Sequence, residues 1–204
     1  MLTLYHSPIS CSQASRLALD FAGAEFREVK VDLKTNEQRT PAYLAINPKG
    51  RVPALATDRG VITETPAILL YIAQTHPGAG LAPLDDPYAL AKMNEFNAYL
   101  CSTVHPGHAH RTRPERWADD AAAQDAMRAK APSNMASFFA YIEKDLVKGP
   151  WVMGEQLTVS DFYVFTISGW LASGGIDVED FPKVAELRRR MAKDPRAARV
   201  LADS

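Results

Sequence analysis

The chain has 204 residues, of which 47% are hydrophobic, and its 23 Lys and Arg against 24 Asp and Glu give a formal net charge of -1. A nucleic-acid-binding protein commonly carries a basic surplus, which this chain lacks, and no apolar run approaches the roughly 20 residues that span a bilayer. The composition therefore predicts a globular protein with one large or two small hydrophobic cores, and neither nucleic acid nor membrane as a partner.

Cysteine content and the N-terminal segment bear on the compartment. Cys11 and Cys101 are too few for a disulfide scaffold, and they form no CxxC or Cys/His cluster of the kind that binds zinc. Residues 1–10 lack the basic region and long apolar stretch of a signal peptide. We therefore expect a cytoplasmic protein with two reduced thiols and no metal.

The first third of the chain is typical of a β-α-β unit. Residues 2–5 predict a short strand, and apolar residues at 14, 17, 18 and 21 recur at helical spacing before Gly23. Apolar residues at 29, 31 and 33 then alternate as in a strand that extends to Leu33. Such a unit favours two parallel strands.

A hairpin and a helix follow. Residues 47–50 predict a turn, and residues 52–56 and 61–63 predict two strands around a Gly-containing turn. Thr65 as N-cap and Pro66 in the first turn predict a helix that ends near His76.

Pro- and Gly-rich residues 77–87 mark a domain boundary, beyond which the periodicity is helical. Asp86 and Pro87 predict the start of one helix, and Thr158 with Asp161 has the form of a capping box at the start of another. We therefore predict an α/β domain at residues 1–78 and an all-α domain at residues 86–204.

Ser10, Cys11 and Ser12 lie where the first strand gives way to a helix. The free N–H groups and dipole of a helix N-terminus favour an anion, so a thiol placed there commonly has a lowered pKa. The same environment would stabilise a thiolate that belongs to a bound ligand. A small buried core residue is an equally good interpretation of Cys11.

Two further features of the sequence suggest a ligand site, and each lies where a predicted strand or helix begins. A cis Val52–Pro53 peptide would turn the backbone groups of Val52 toward a ligand, although composition alone favours the commoner trans form. Glu64 and Thr65 place a carboxylate and a hydroxyl at a helix start, which suits a ligand with an ammonium and a carboxylate. Simple helix capping by Thr65 is the alternative.

The order and spacing of these signals are more specific than any one of them. Five stretches together resemble the glutathione transferase family, in particular its bacterial beta-class branch: residues 5–12, 31–33, 47–55, 63–65 and 151–161. The resemblance implies a thioredoxin-like βαβ-ββα N-terminal domain, an all-helical C-terminal domain, a homodimer, and glutathione as co-substrate without another cofactor.

The resemblance also implies roles for individual residues. The backbone of Val52 would pair with the cysteinyl part of glutathione, with Pro53 cis, and Glu64 and Thr65 would hold the γ-glutamyl end. Lys49 belongs to the same glutathione-binding motif.

Other implied roles concern the glutathione sulfur and the cleft around it. Cys11 would lie near the sulfur, while Ser10 is an alternative donor to the thiolate and Tyr5 a weaker candidate. His105 matches a histidine at the active-site cleft. Thr158 and Asp161 would be structural, and Cys101 is expected in the core.

This chain departs from the family pattern near the glycyl end of glutathione. The loop that carries the usual lysine is one residue shorter, which leaves Lys34 and Asn36 as alternatives. Pro106 stands where a basic residue commonly follows the cleft histidine. Ala98, with Asn97 beside it, stands where the partner subunit usually supplies an asparagine.

His105, His108 and His110 lie close together in sequence. Because Pro106 and Gly107 are expected to interrupt the helix, the three rings need not share a face, and we expect a cleft-lining or dimer-interface role rather than a metal site.

The leading functional hypothesis is attack of the glutathione thiolate on a hydrophobic electrophile. In a second hypothesis Cys11 is itself the redox thiol of a glutathione-dependent thiol-disulfide oxidoreductase. In a third the chain is a non-enzymatic binding or stress protein on the same fold.

Overall fold

The computed structural model describes residues 1–202, in which four short strands form a single sheet: β1 (Leu2–His6), β2 (Phe26–Lys30), β3 (Ala54–Thr57) and β4 (Gly60–Thr63). The strand order is β2-β1-β3-β4, with β1 parallel to β2 and antiparallel to β3. The predicted β-α-β unit and hairpin are therefore confirmed, although β2 ends at Lys30 rather than at Leu33.

Three helices accompany the sheet: α1 (Ser12–Phe21), α2 (Pro41–Leu44) and α3 (Thr65–Thr75). The N-cap of α3 is Glu64, one residue before the predicted Thr65. Glu64, with φ of 75°, turns the chain directly from β4 into the helix, so Thr65 is already the first helical residue and does not cap it.

The rest of the described chain is helical: α4 (Pro87–Tyr99), α5 (His105–Thr112), α6 (Ala121–Tyr141), α7 (Val159–Ser168), α8 (Pro182–Lys193) and α9 (Ala198–Leu201). Asp86 caps α4 as predicted, since its carboxylate accepts the N–H groups of Tyr88 and Ala89 at 2.9 and 3.0 Å. Within residues 1–202, no helix combines the length and apolar character that crossing a membrane requires.

The predicted break at Pro106 and Gly107 is wrong. A π-helical segment, Leu100–Val104, leads directly from α4 into α5, and Pro106 lies in the first turn of α5. Gly107 is required by packing, because a Cβ at this position would lie 2.7 Å from Cε2 of Phe138 in α6.

Helix α7 is buried along its whole length and packs against α1, which joins the helical region to the sheet region. The rings of Phe21 and Phe162 meet at 4.8 Å between these helices. The capping box at the start of α7 is present: Asp161 is 0% exposed and accepts the N–H groups of Val152 and Thr158 at 2.8 and 2.7 Å.

Candidate active site

The loop between β1 and α1 is fixed by hydroxyl groups. Ser12 accepts the N–H of Ser7 at 3.0 Å and donates to the Ser7 carbonyl at 2.9 Å. Ser10 donates to the same carbonyl at 2.7 Å, and its Oγ lies 2.6 Å from that of Ser12. The Ser10 hydroxyl therefore stabilises the loop itself. Ser12, for which the sequence indicated no individual role, is central to this hydrogen-bond network.

A cleft opens between this loop and the helical region. Its inner part has a volume of about 120 Å³ and brings together five of the predicted residues from the sheet region: Cys11, Val52, Pro53, Glu64 and Thr65. The helical wall includes His105, Cys101 and Tyr163. The outer part, of about 460 Å³, shares Cys11, Val52 and His105 with the inner part and also reaches Ser10.

The Val52–Pro53 peptide bond is cis, as the family resemblance implies and against the preference from composition alone. The turn before it is fixed at the carbonyl of Arg51, which accepts from the Tyr43 hydroxyl and from Nδ2 of Asn47, both at 2.7 Å. Val52 is thus presented to the cleft by a well-supported turn.

The pKa of the Cys11 thiol is raised from 9.0 to about 11, because burial disfavours the thiolate more than a hydrogen bond with Thr65 favours it. Its Sγ lies 3.4 Å from the carbonyl oxygen of Val52 and donates to it. The expectation of a lowered pKa at the helix N-terminus is therefore wrong for Cys11. Cys101 is half-buried and lines the same cavity, rather than lying wholly in the core as predicted.

Glu64 forms an ion pair with Lys49, and each side chain is about half exposed, at 54% and 48%. Lys49 is not among the residues that line the cleft, so in this structure it acts through the Glu64 carboxylate. The Glu64 carboxylate, partly neutralised by Lys49, lies beside Thr65 at the start of α3.

Besides Lys49, three predicted candidates lie outside the cleft lining. Lys34 and Asn36 are both exposed, and neither lines the inner or the outer part. The ring of Tyr5 packs edge-on against that of Tyr43, with the centroids 6.1 Å apart. A basic side chain does reach the cleft nearby, namely Arg51, which lines both parts.

The histidines are arranged around tryptophan rings. The ring centroids of His105 and His108 lie 5.0 and 4.8 Å from the ring centroid of Trp170. The ring centroid of His110 lies 4.4 Å from that of Trp117. Burial lowers the pKa of both His105 and His108 to about 4, with help from neighbouring charges, so both are neutral at pH 7. No group of three potential metal ligands occurs in the described part of the chain.

Several cleft residues carry no recognisable motif in the sequence. Tyr163, buried in α7, lines the inner cavity and hydrogen-bonds with Cys101. Arg113 and Arg116 line the outer part, although their polar surroundings in sequence suggest only a solvated surface.

Asn97 is buried and accepts from Ser160 at 2.9 Å, so it is not available to a partner subunit.

Comparison with known proteins adds to this geometry. Residues 1–74 match the family described as glutathione S-transferase, N-terminal domain, and residues 114–204 match glutathione S-transferase, C-terminal domain. A curated glutathione S-transferase of Pseudomonas putida is 31% identical over 194 residues, which cover 92% of this chain and 85% of that protein.

Solved structures agree. A glutathione transferase homologue from Sulfitobacter, with bound glutathione, is 41% identical with a TM-score of 0.96 and covers 99% of this chain and 97% of that one. The beta-class glutathione S-transferase of Sphingomonas chungbukensis is 33% identical with a TM-score of 0.84, over 98% and 97% of the two chains. This chain therefore belongs to the glutathione S-transferase family.

Proposed function

We propose that this glutathione transferase binds glutathione in the cleft between the sheet region and the helical region, and activates its thiol for attack on an electrophile. The observation that carries the proposal is the convergence of Cys11, Val52, Glu64 and Thr65 on one cavity. The Sulfitobacter homologue, which binds glutathione on the same fold, supports it. We also propose that residues 1–78 and 86–204 form the two domains whose junction makes the cleft.

Each part of glutathione finds a complementary group. The backbone of Val52 pairs with the cysteinyl residue, and the Glu64 carboxylate holds the γ-glutamyl ammonium, with Thr65 and the α3 N-terminus near its carboxylate. Because Lys34 and Asn36 lie outside the cleft, we assign the glycyl carboxylate to Arg51, which lines both parts of it.

Cys11 acts in this proposal as a hydrogen-bond donor. With a pKa of about 11, only about one part in ten thousand is thiolate at pH 7. The protonated Sγ can therefore donate to a glutathione thiolate at the start of α1. Lowering the glutathione thiol pKa from about 9 to about 6.5 requires roughly 3 kcal/mol, which a helix terminus and one or two charge-assisted hydrogen bonds supply.

The alternative of a thiol-disulfide oxidoreductase is less well supported. A redox thiol needs a substantial thiolate fraction, and the burial of Cys11 opposes one. A non-enzymatic binding protein would keep the glutathione site and lack turnover, so an activity measurement distinguishes it.

Titration calorimetry with reduced glutathione tests the binding site. We expect saturable binding at micromolar to millimolar strength, weakened about tenfold or more in Glu64→Gln, because a charge-assisted hydrogen bond contributes about 1.5–3 kcal/mol. Glu155→Gln, an exposed position outside the cleft lining, is the matched control and should bind like the native chain. Absence of binding in the native chain would overturn the proposal.

We further propose a cytoplasmic homodimer. Tyr88 and Tyr141, on α4 and α6, are 76% and 46% exposed, which supports a covered apolar surface in solution. Cys11 and Cys101 are both free thiols, which supports a reducing compartment. Light scattering should give about twice the 22.4 kDa of one chain, and the monomer mass would contradict the dimer.

A further inference from the structure

The outer part of the cleft is strongly cationic. Arg51, Arg113 and Arg116 line it, and its lining contains no aspartate or glutamate. His105 and His108, which also line it, are neutral at pH 7 and bring no negative charge. The outer cleft thus presents three positive charges to whatever enters it.

These guanidinium groups lack carboxylate partners. Within residues 1–202, ion pairs occupy Arg16, Arg128, Arg189, Arg190, Arg196 and Arg199, and none involves Arg51, Arg113 or Arg116. The three guanidinium groups that share the cleft are therefore not neutralised by an ion pair within the described chain and can bind a ligand anion.

The cationic groups also repel one another. Partial burial and the charges of Arg51 and Arg113 lower the pKa of Arg116, with a smaller contribution from Arg39, although the neighbouring Glu115 opposes this shift. Arg116 and Arg51 also help burial to lower the pKa of His105. An anion bound in the cleft would offset this repulsion, so the cleft should bind an anion more tightly than a neutral molecule of similar shape.

Glutathione alone does not account for all three arginines. Arg51 precedes Val52 in the sheet region and suits the glycyl carboxylate. Arg113 and Arg116 come from the opposite wall, at the end of α5 and in the turn after it, Pro114–Arg116. This is the wall against which the second substrate must lie.

We propose that the electrophile carries a carboxylate or another oxyanion, which Arg113 and Arg116 hold, with its apolar body against Trp170. The proposal rests on the proposed glutathione transfer and narrows its substrate class. Guanidinium groups suit it because their N–H donors match the oxygens of a carboxylate in pairs.

Two aryl chlorides of the same reaction type test it: 1-chloro-2,4-dinitrobenzene, which is neutral, and 4-chloro-3,5-dinitrobenzoate, which is anionic. In both, the glutathione sulfur bonds to the ring carbon, chloride leaves with the electron pair, and the thiol proton passes to solvent. We compare the kcat/KM for the benzoate divided by the kcat/KM for the neutral chloride. We expect this ratio to fall about tenfold or more in the double variant Arg113→Gln/Arg116→Gln. Arg59→Gln/Arg128→Gln, which changes two exposed arginines outside the cleft lining, should keep the native ratio.

An unchanged ratio in a correctly folded double variant would overturn the inference. If that variant does not fold, binding of unreactive 3,5-dinitrobenzoate and 1,3-dinitrobenzene to the native, glutathione-saturated protein decides: tighter binding of the benzoate supports it, and equal binding overturns it. Turnover of the neutral chloride without preference for the anion would count against this inference alone. Loss of glutathione binding would count against the proposed function.

Discussion

The indole N–H of Trp170 donates to the carbonyl oxygen of Ile9 over 3.0 Å. Ile9 has a φ of 61°, an uncommon conformation for a β-branched residue, and it lies in the loop that leads to Cys11. The same indole contacts the rings of His105 and His108, which are tilted against it by 60° and 33°. One side chain of the helical region therefore holds the active-site loop and orients two rings of the cleft.

Replacing this indole should misplace the loop. In Trp170→Phe the hydrogen bond to Ile9 is lost while an aromatic ring remains, and one neutral hydrogen bond contributes about 0.5–1.5 kcal/mol. We expect kcat/KM for a neutral chloroarene to fall about threefold to tenfold, measured with saturating glutathione. Trp151→Phe, at a partly buried position outside the cleft, is the matched control. Equal losses in both variants would indicate a general stability effect.

The sequence predicts what depends on local pattern. The bonds by which Asp86 caps α4 and by which Thr158 and Asp161 form the capping box of α7 join residues at most three positions apart, so these roles can be predicted from the sequence. The bond between Trp170 and Ile9 joins distant segments, and no local pattern indicates it.

Burial is a second quantity that local pattern does not contain. The position of Cys11 before a helix favours a lowered pKa, but burial of the thiol in the folded protein disfavours the thiolate and raises the pKa, although a hydrogen bond with Thr65 opposes the rise. Arg113 and Arg116 likewise could not be predicted as ligand-binding residues from the sequence, because only the fold places them across the cleft from Arg51.

Gly107 gives a direct test of close packing between α5 and α6. An alanine Cβ would lie 2.7 Å from Cε2 of Phe138, so Gly107→Ala must displace that ring. We expect the free energy of unfolding to fall by about 1–3 kcal/mol, measured by urea denaturation. Gly78→Ala is the control, because nothing lies within 4 Å of its added Cβ. A loss no larger than that of the control would show that α5 and α6 are less tightly packed.

Glu28 should contribute to stability in a pH-dependent way. Its carboxylate contacts Arg16 at 2.8 Å and Arg199 at 3.0 Å, and although burial opposes ionisation, these two arginines lower the Glu28 pKa from 4.5 to about 2. Because the folded-state pKa is lowered, the stabilisation is complete above pH 4.5 and is lost as the pH falls through about 2.

We therefore expect Glu28→Gln to lower the free energy of unfolding by about 2–3 kcal/mol at pH 7, and by less at pH 3. Urea denaturation at both values measures the difference. Glu155→Gln, at an exposed position that forms no ion pair within residues 1–202, should show no such pH-dependent loss. A penalty for Glu28→Gln that does not depend on pH would point to packing rather than charge.

Alkylation of Cys11 tests whether its thiol is a donor or a nucleophile. In a Cys101→Ala background, iodoacetamide should modify Cys11 about a hundredfold more slowly at pH 8 than a thiol of pKa 9, because a pKa of about 11 leaves correspondingly less thiolate. The rate, followed by mass spectrometry without glutathione, should rise about tenfold per pH unit from pH 7 to 9.5. The double variant with Cys11→Ser shows the background. A plateau within that range would mean that the cleft stabilises a Cys11 thiolate, and would favour Cys11 as a redox nucleophile over its role as a donor to glutathione.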